Sequence, residues 1–225
     1  MDTGTIVVVG GGLVGLASLR ELEKKMPLAQ VTVIEPKEYV EVSYAALRGM
    51  TDPEGIGRSM RRPWPELSEA RHIPAMAREI FGNEVVLDTG ERIEFAHAII
   101  ATGSVTAGMP FLKNGAATVA DREREFLAQR DRLRTAQTVL IVGGGPIGVE
   151  LAGEILDAFP QTRVTLVHGS DRLLPALPPK AGAKAAKVLR SRGVAVVLDT
   201  HLHQENDSYT AIDGRSFEAD AVYWA

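Results

Sequence analysis

Apolar and polar positions along the chain repeat one pattern twice. Thr5-Ile6-Val7-Val8-Val9 is a β-branched run that stops at Gly10-Gly11-Gly12, after which apolar residues return at helical spacing. The succession comes back as Thr138-Val139-Leu140-Ile141-Val142 followed by Gly143-Gly144-Gly145, at a constant offset of 133 residues (143 − 10 and 148 − 15). Each copy leads into a second apolar run, Val31-Thr32-Val33-Ile34 and Val164-Thr165-Leu166-Val167, so each predicts a βαβ unit. Two copies at this long period are not a solenoid, which needs more and shorter repeats. Between them, residues 36–75 read as loops and short helices, with Arg61-Arg62-Pro63-Trp64-Pro65 as a turn-rich piece. Residues 84–95 read as a β-hairpin turning at Thr89-Gly90, and Ala98-Ile99-Ile100-Ala101 as a buried strand ending at Thr102-Gly103. Ala107-Gly108-Met109-Pro110 and Gly115 mark a linker, and a polar helix over residues 118–135 leads into the second copy. Residues 201–217 look like a β-meander, and residues 219–225 match 95–101. The second copy stops where the first goes on to Thr102-Gly103, so more protein is expected downstream.

The glycines carry chemistry. Gly10 permits a tight strand-to-helix turn, Gly12 removes a side chain that would block a pyrophosphate, and Gly15 lets helix and strand pack closely. Leu13 and Val14 carry the turn into a helix whose first N–H groups and dipole face the phosphates. Glu35 lies 20 residues past Gly15 (35 − 15), where a carboxylate accepts hydrogen bonds from ribose hydroxyls. Pro36 and Lys37 adjoin it, and Lys37 either touches the adenosine end of a nucleotide or is simply solvated. The second copy keeps Gly143, Gly145 and Gly148, with Pro146 and Ile147 in its turn. Its acidic slot (168 − 148 = 20) holds His168. A neutral imidazole lacks the two acceptors of a carboxylate and does not repel a 2′-phosphate, and Arg172 is near enough in sequence to meet one. His168 also reads, and more readily, as a strand-end residue capping nearby backbone. NADH and NADPH both stay open. The expected fold class is α/β, with two Rossmann-type dinucleotide-binding βαβ domains, each with a β-meander insertion, at residues 1–107 and 108–225.

Composition narrows the chemistry further. The 225 residues are 45% hydrophobic and 24% charged, as in ordinary soluble domains, and the net charge of −4 gives nucleic acid no basic footprint. There is no apolar run of ~20 residues for a bilayer span, no signal-peptide pattern and no glycine after Met1 for myristoylation. Cysteine is absent, so thiol chemistry is excluded, redox work falls to a bound cofactor, and the cytoplasm is the expected compartment. His201 and His203 lack further ligands at metal spacing, so no metal is expected. Arg61-Arg62 and the arginines from Arg122 to Arg134 alternate with acids, as solvated faces do.

Taken together, Gly10/Gly12/Gly15 with Glu35, the Ile99-Ile100-Ala101-Thr102-Gly103 segment and Gly143-Gly144-Gly145-Pro146-Ile147-Gly148-Val149-Glu150 resemble the pyridine nucleotide-disulfide oxidoreductase superfamily. Glu35-Pro36-Lys37-Glu38-Tyr39, Ala45-Ala46-Leu47-Arg48 and Val164-Thr165-Leu166-Val167-His168 look most like its apoptosis-inducing-factor-2-like, or ferroptosis-suppressor-like, branch. The resemblance implies FAD at the first glycine turn, with Ala101, Thr102 and Gly103 beside it, and NAD(P)H as co-substrate at the second. It implies hydride transfer from NAD(P)H to flavin and then electron transfer to an acceptor, with a quinone favoured. A ferredoxin- or rubredoxin-type reductase and a dinucleotide-binding redox sensor with little turnover are the alternatives. Glu150 would approach the flavin–nicotinamide contact with Arg48 as its basic partner; alternatively Glu150 complements its helix dipole and Arg48 solvates a loop. Tyr39 and Tyr44 either flank the flavin or pack. In the family the FAD domain resumes after the NAD(P)H domain, with a Gly-Asp motif and a C-terminal interface domain. That later part is where any membrane contact is expected.

Overall fold

The computed structural model describes residues 4–106, 108–113, 115–205 and 208–225. The chain divides into two compact units. Met1–Ala46, Gly55–Val105 and Lys113–Glu125 form the first; Leu47–Glu54, Thr106–Leu112 and Phe126–Ala225 form the second. In chain order the first copy of the pattern gives β1 (Ile6–Val9), α1 (Leu13–Glu23), β2 (Val31–Ile34) and β3 (Tyr39–Glu41). Then follow α2 (Ala46–Thr51), α3 (Ile56–Ser59), β4 (Arg61–Pro63), α4 (Trp64–Leu67) and β5 (Arg71–Ile73). A meander, β6 (Ala77–Phe81), β7 (Glu84–Leu87) and β8 (Arg92–Glu94), precedes β9 (His97–Ile100) and the long α5 (Val119–Thr135). The second copy runs β10 (Thr138–Val142), α6 (Pro146–Ala158), β11 (Arg163–Val167), α7 (Pro179–Ser191) and β12 (Ala195–Val197). It closes with β13 (Leu202–Glu205), β14 (Ser208–Ala211), β15 (Ser216–Phe217) and β16 (Ala221–Trp224).

Each unit is a parallel sheet carrying an antiparallel meander. In the first unit the strand order is β5-β2-β1-β9, and in the second β12-β11-β10-β16, which is the same order in equivalent strands. Central strand β1 is buried throughout because both its faces are covered. Val7 and Val9 pack with Ile34 and Ile73 against Val85, Leu87 and Ile93 of the meander. Ile6 and Val8 face the other way, onto Leu19 of α1, Val40 of β3 and Trp64 of α4. The second unit repeats the arrangement, with Leu140 and Val167 beneath Leu202 and Ala211 of its meander. On its other face α6 packs on β10 and β11, burying Leu151 and Ile155. Among the described residues no helix is long and apolar enough to cross a membrane.

Several local expectations change. Residues 36–75 are not only loops and helices, for β3 and β4 pair antiparallel and β5 joins the parallel sheet beside β2. The turn-rich reading of Arg61–Pro63 therefore gives way to an edge strand, where a proline costs little. The strand at 98–101 starts one residue earlier and is not buried. It is the edge strand β9, paired with β1, with Ile100 56% exposed.

The larger correction concerns charge. Arg61 and Arg122 do not lie on solvated faces; they are 3% and 0% exposed. Arg122 takes the core-facing position of α5, one turn before the buried Phe126, while Arg124, Arg132 and Arg134 stay exposed as expected. Its Nε and Nη2 each donate to a Glu41 carboxylate oxygen at 2.8 Å, and its Nη1 donates to Glu125 at 2.8 Å. Tyr39 lies against this cluster, its hydroxyl donating to the Ala116 carbonyl at 2.7 Å, and burial, reinforced by Glu41, pushes its phenol above the ordinary range. Bidentate geometry compensates two desolvated charges, and removing one partner strands the other. Arg122→Ala is therefore expected to cost about 3–5 kcal/mol in denaturant unfolding. Arg124→Ala, at the exposed pair with Asp121, should cost less than about 1 kcal/mol. Equal losses would mean that the buried pair contributes no more than a surface one.

Candidate functional site

Each glycine turn is built by the carbonyl of its first glycine. Gly10 and Gly143 have φ of +101° and +124°, the left-handed region that favours glycine. Their N–H groups donate to Ile34 and Val167, the last residues of β2 and β11, at 2.9 and 2.8 Å. Their carbonyls point at the start of the helix, so a Cβ on Gly15 would sit 2.1 Å from Gly10 O, and one on Gly148 would sit 1.9 Å from Gly143 O. By contrast a Cβ on Gly12 or Gly145 would meet nothing within 4 Å. The space beside those two glycines is open, as an approaching phosphate requires.

The middle glycines, which the spacing argument passed over, connect the turn to the residue 20 positions past the fingerprint. Gly11 N–H donates to Glu35 Oε2 at 2.7 Å, and Lys37 N–H donates to Oε1 at 3.0 Å. In the second unit Gly144 N–H donates to His168 Nδ1 at 3.0 Å. The imidazole therefore stands where the carboxylate stood and binds the same backbone group. Accepting at Nδ1 places the ring proton on Nε2, an atom that is buried and has no hydrogen-bond partner among the described residues. Burial first, and the neighbouring His201 second, hold the imidazole below its ordinary range and so keep it neutral. The only available signal for Gly11 and Gly144 was the uninterrupted glycine triplet in each copy.

Residues expected to bind the first nucleotide converge. Gly10, Gly12, Leu13, Val14, Glu35, Pro36, Lys37, Ala101, Thr102 and Gly103 line one cavity of about 700 Å³, with Gly15 buried behind it. Glu41, Ser104 and Lys113 also line it, and sequence reasoning did not single them out for this site. Tyr39 is buried packing at the cavity wall, while Tyr44 is 80% exposed. In the second unit Pro146 opens α6, a position its missing N–H suits, with Ile147 next to it and Gly148 buried. Arg172 donates to the Pro175 carbonyl of its own loop at 2.9 Å. Among the described residues no group of three His, Cys, Asp or Glu side chains could hold a metal ion.

Arg48 and Glu150 do not form the expected pair. Arg48 Nε and Nη2 reach Glu154 at 2.9–3.1 Å, one turn further along α6, where the carboxylate is only 11% exposed. Desolvation and the charge of Glu154 push the Glu150 carboxyl up, and Arg48 opposes that from a distance. Helical periodicity explains the exchange, since residues 150 and 154 share one face and the geometry selects the more sheltered acid.

Residues 4–225 match the family described as pyridine nucleotide-disulphide oxidoreductase. The chain belongs to that family. Apoptosis-inducing factor homolog B of Dictyostelium discoideum is 25% identical over 97% of this chain and 62% of its own length. Ferroptosis suppressor protein 1 of Xenopus tropicalis is 30% identical over 86% of this chain and 51% of its own. A ferredoxin reductase from Rhodopseudomonas palustris has the same fold, with a TM-score of 0.75 at 20% identity, covering 98% of this chain and 58% of that one. The chain thus spans only part of the length of these relatives.

The neutral His168 sets the sign of a pH effect. Its folded pKa is depressed, so on acidification the unfolded chain takes up a proton that the folded imidazole refuses. Stability falls as the pH drops through the ordinary histidine value of about 6.5. His168→Asn, which keeps an acceptor for Gly144 but does not titrate, should lose less melting temperature than the parent between about pH 7.5 and 5.5. Parallel curves would contradict the neutral tautomer.

Proposed function

We propose that this chain is the dinucleotide-binding portion of an FAD-dependent oxidoreductase that takes its reducing equivalents from NAD(P)H. The observation carrying the proposal is the pairing of two equivalent glycine turns, one closed by a carboxylate and the other by an imidazole. In this reading residues 1–107 are the first part of a split FAD-binding domain, and residues 108–225 are the NAD(P)H-binding domain. The setting is cytoplasmic. FAD, when bound, supplies hydride acceptance and onward electron transfer.

The protein's own groups bind and orient. Gly12 leaves the pyrophosphate room, the first N–H groups of α1 face it, and Glu35 keeps lone pairs free for ribose hydroxyls while anchored to Gly11 and Lys37. At the second turn Gly145 leaves the same room. His168 puts no negative charge near a 2′-phosphate, so NADH and NADPH are both admitted. Arg48, steadied by Glu154, is a cation suited to stabilising negative charge that develops during reduction. Glu150, whose carboxyl is pushed up by burial and by Glu154, lies one turn away on the same face of α6.

Resemblance to the apoptosis-inducing-factor-2-like branch favours a quinone as acceptor. The ferredoxin-reductase fold likeness supports the second reading, a small iron–sulfur protein as acceptor. Steady-state NAD(P)H oxidation with each acceptor decides between them, and no turnover with either would leave the dinucleotide-binding sensor.

Two outcomes test the sites themselves. The full-length protein should show a flavin band that bleaches under anaerobic NADH or NADPH; a colourless protein that cannot be loaded with FAD would overturn the enzyme reading. Gly12→Ala should fold within about 0.5 kcal/mol of the parent, because its backbone (φ −71°, ψ −167°) and surroundings accept a methyl group. The same variant should bind FAD at least about tenfold more weakly, at a cost near 1.4 kcal/mol. Gly145→Ala should weaken NAD(P)H binding likewise and leave FAD untouched, as titrations of each nucleotide will show.

A further inference from the structure

The first cavity has a wall that the glycine fingerprint does not supply. Residues 113 and 115–125, from the linker and the first half of α5, are bonded along the segment that follows β2. Lys37 Nζ donates to Lys113 O at 3.0 Å, Glu38 N–H to Ala117 O at 2.9 Å, and Val119 N–H to the Glu38 carboxylate at 2.8 Å. Tyr39 reaches Ala116, and Arg122 fixes Glu41, as described above. Gly115 is part of this fit, since a Cβ there would lie 2.5 Å from Arg122 Nε.

This arrangement reassigns the two lysines at the cavity. Lys37, the cation expected to touch the nucleotide, is committed elsewhere: its ammonium caps the Lys113 carbonyl and lies 5.9 Å from the centre of the Tyr39 ring. Lys113 instead sends its ammonium across to Ser104 Oγ at 2.8 Å, next to the Thr102-Gly103 segment. Both ends of that bridge line the cavity. Two carboxylates also line it, but Glu41 is neutralised by Arg122, and Glu35 is held by backbone N–H groups in the place suited to ribose. Both lysines have neutral partners, but only Lys113 is joined to a hydroxyl that itself lines the cavity beside Thr102-Gly103, so a dianionic pyrophosphate entering there can take the place of Ser104 on its ammonium.

We propose that Lys113 is a phosphate-binding residue of the first dinucleotide site, delivered from the linker, and that Lys37 is the positioning residue that holds it there. The inference rests on the FAD reading given above. An ammonium–phosphate contact is charge-assisted, screened by salt and restored by any cation of similar reach.

The test is the FAD dissociation constant of the apo full-length protein, read by fluorescence quenching across a range of sodium chloride concentrations. Lys113→Gln should bind FAD about tenfold more weakly at low salt, with a shallower salt dependence and an unchanged melting temperature. Lys113→Arg should restore both affinity and salt dependence, which a merely structural role would not do. Riboflavin, which lacks the pyrophosphate, should bind parent and variant alike. Unchanged FAD affinity and salt dependence in Lys113→Gln would overturn the assignment while leaving the FAD site standing. So would a loss of salt dependence found in Lys37→Gln alone. A parent protein that binds no FAD would overturn the assignment together with the reading beneath it.

Discussion

Everything at the two sites depends on one close approach, that of the first glycine's carbonyl to the first turn of the following helix. A Cβ on Gly15 or Gly148 would lie about 2 Å from that oxygen, well inside contact distance. Only because these positions are glycine can strand and helix be joined in so few residues. The same turn throws the middle glycine's N–H toward the end of the neighbouring strand and leaves the third glycine facing open space. Binding geometry is therefore a by-product of a packing requirement. The positive φ of Gly10 and Gly143 is where the backbone absorbs the reversal.

A turn of this kind makes a floor, and a cavity also needs walls that hold still. In the first unit one wall is held by buried charge. Arg122 is fully buried against Glu41 and Glu125, so the segment carrying Tyr39–Glu41 cannot drift without separating charges in a medium that solvates them poorly. Such a pair adds little net stability over a hydrophobic substitute, but it has one geometry where apolar contacts tolerate many. That suits a wall whose position matters more than its strength.

Much of this was legible in the sequence. The repeat at an offset of 133 residues, the glycine spacing, Glu35 and the meanders all follow from local pattern, since hydrophobic period and turn chemistry act over a few residues. What was not legible depended on partners distant in the chain. Arg122 reads as a solvated arginine because its neighbours in sequence are acids, and only Glu41, 81 residues away, makes its burial tolerable. Arg48 could be matched to an acid on the helix after Gly148, but not to the correct one, because Glu150 and Glu154 lie on one helical face. Strand β9 reads as buried from its apolar run, although its place at the sheet edge is a property of the topology. Gly11 and Gly144 were hidden for a different reason: their role lies in the backbone N–H, which every glycine has.

The difference between the two closing residues bears on how each nucleotide is held. Glu35 offers two oxygens, each tied to one backbone N–H and each with a lone pair left for a ribose hydroxyl. His168 has a single acceptor, and Gly144 already occupies it. In the reading proposed above, the first turn therefore grips its ribose through an anchored carboxylate, in a cavity walled by residues from the linker. At the equivalent position the second turn presents a neutral ring in place of the carboxylate, so in the same reading its hold on the ribose lacks one charge-assisted hydrogen bond, about 1.5–3 kcal/mol. In that same reading, the exchange of a carboxylate for an imidazole at this position suits a flavin nucleotide that stays and a nicotinamide nucleotide that comes and goes.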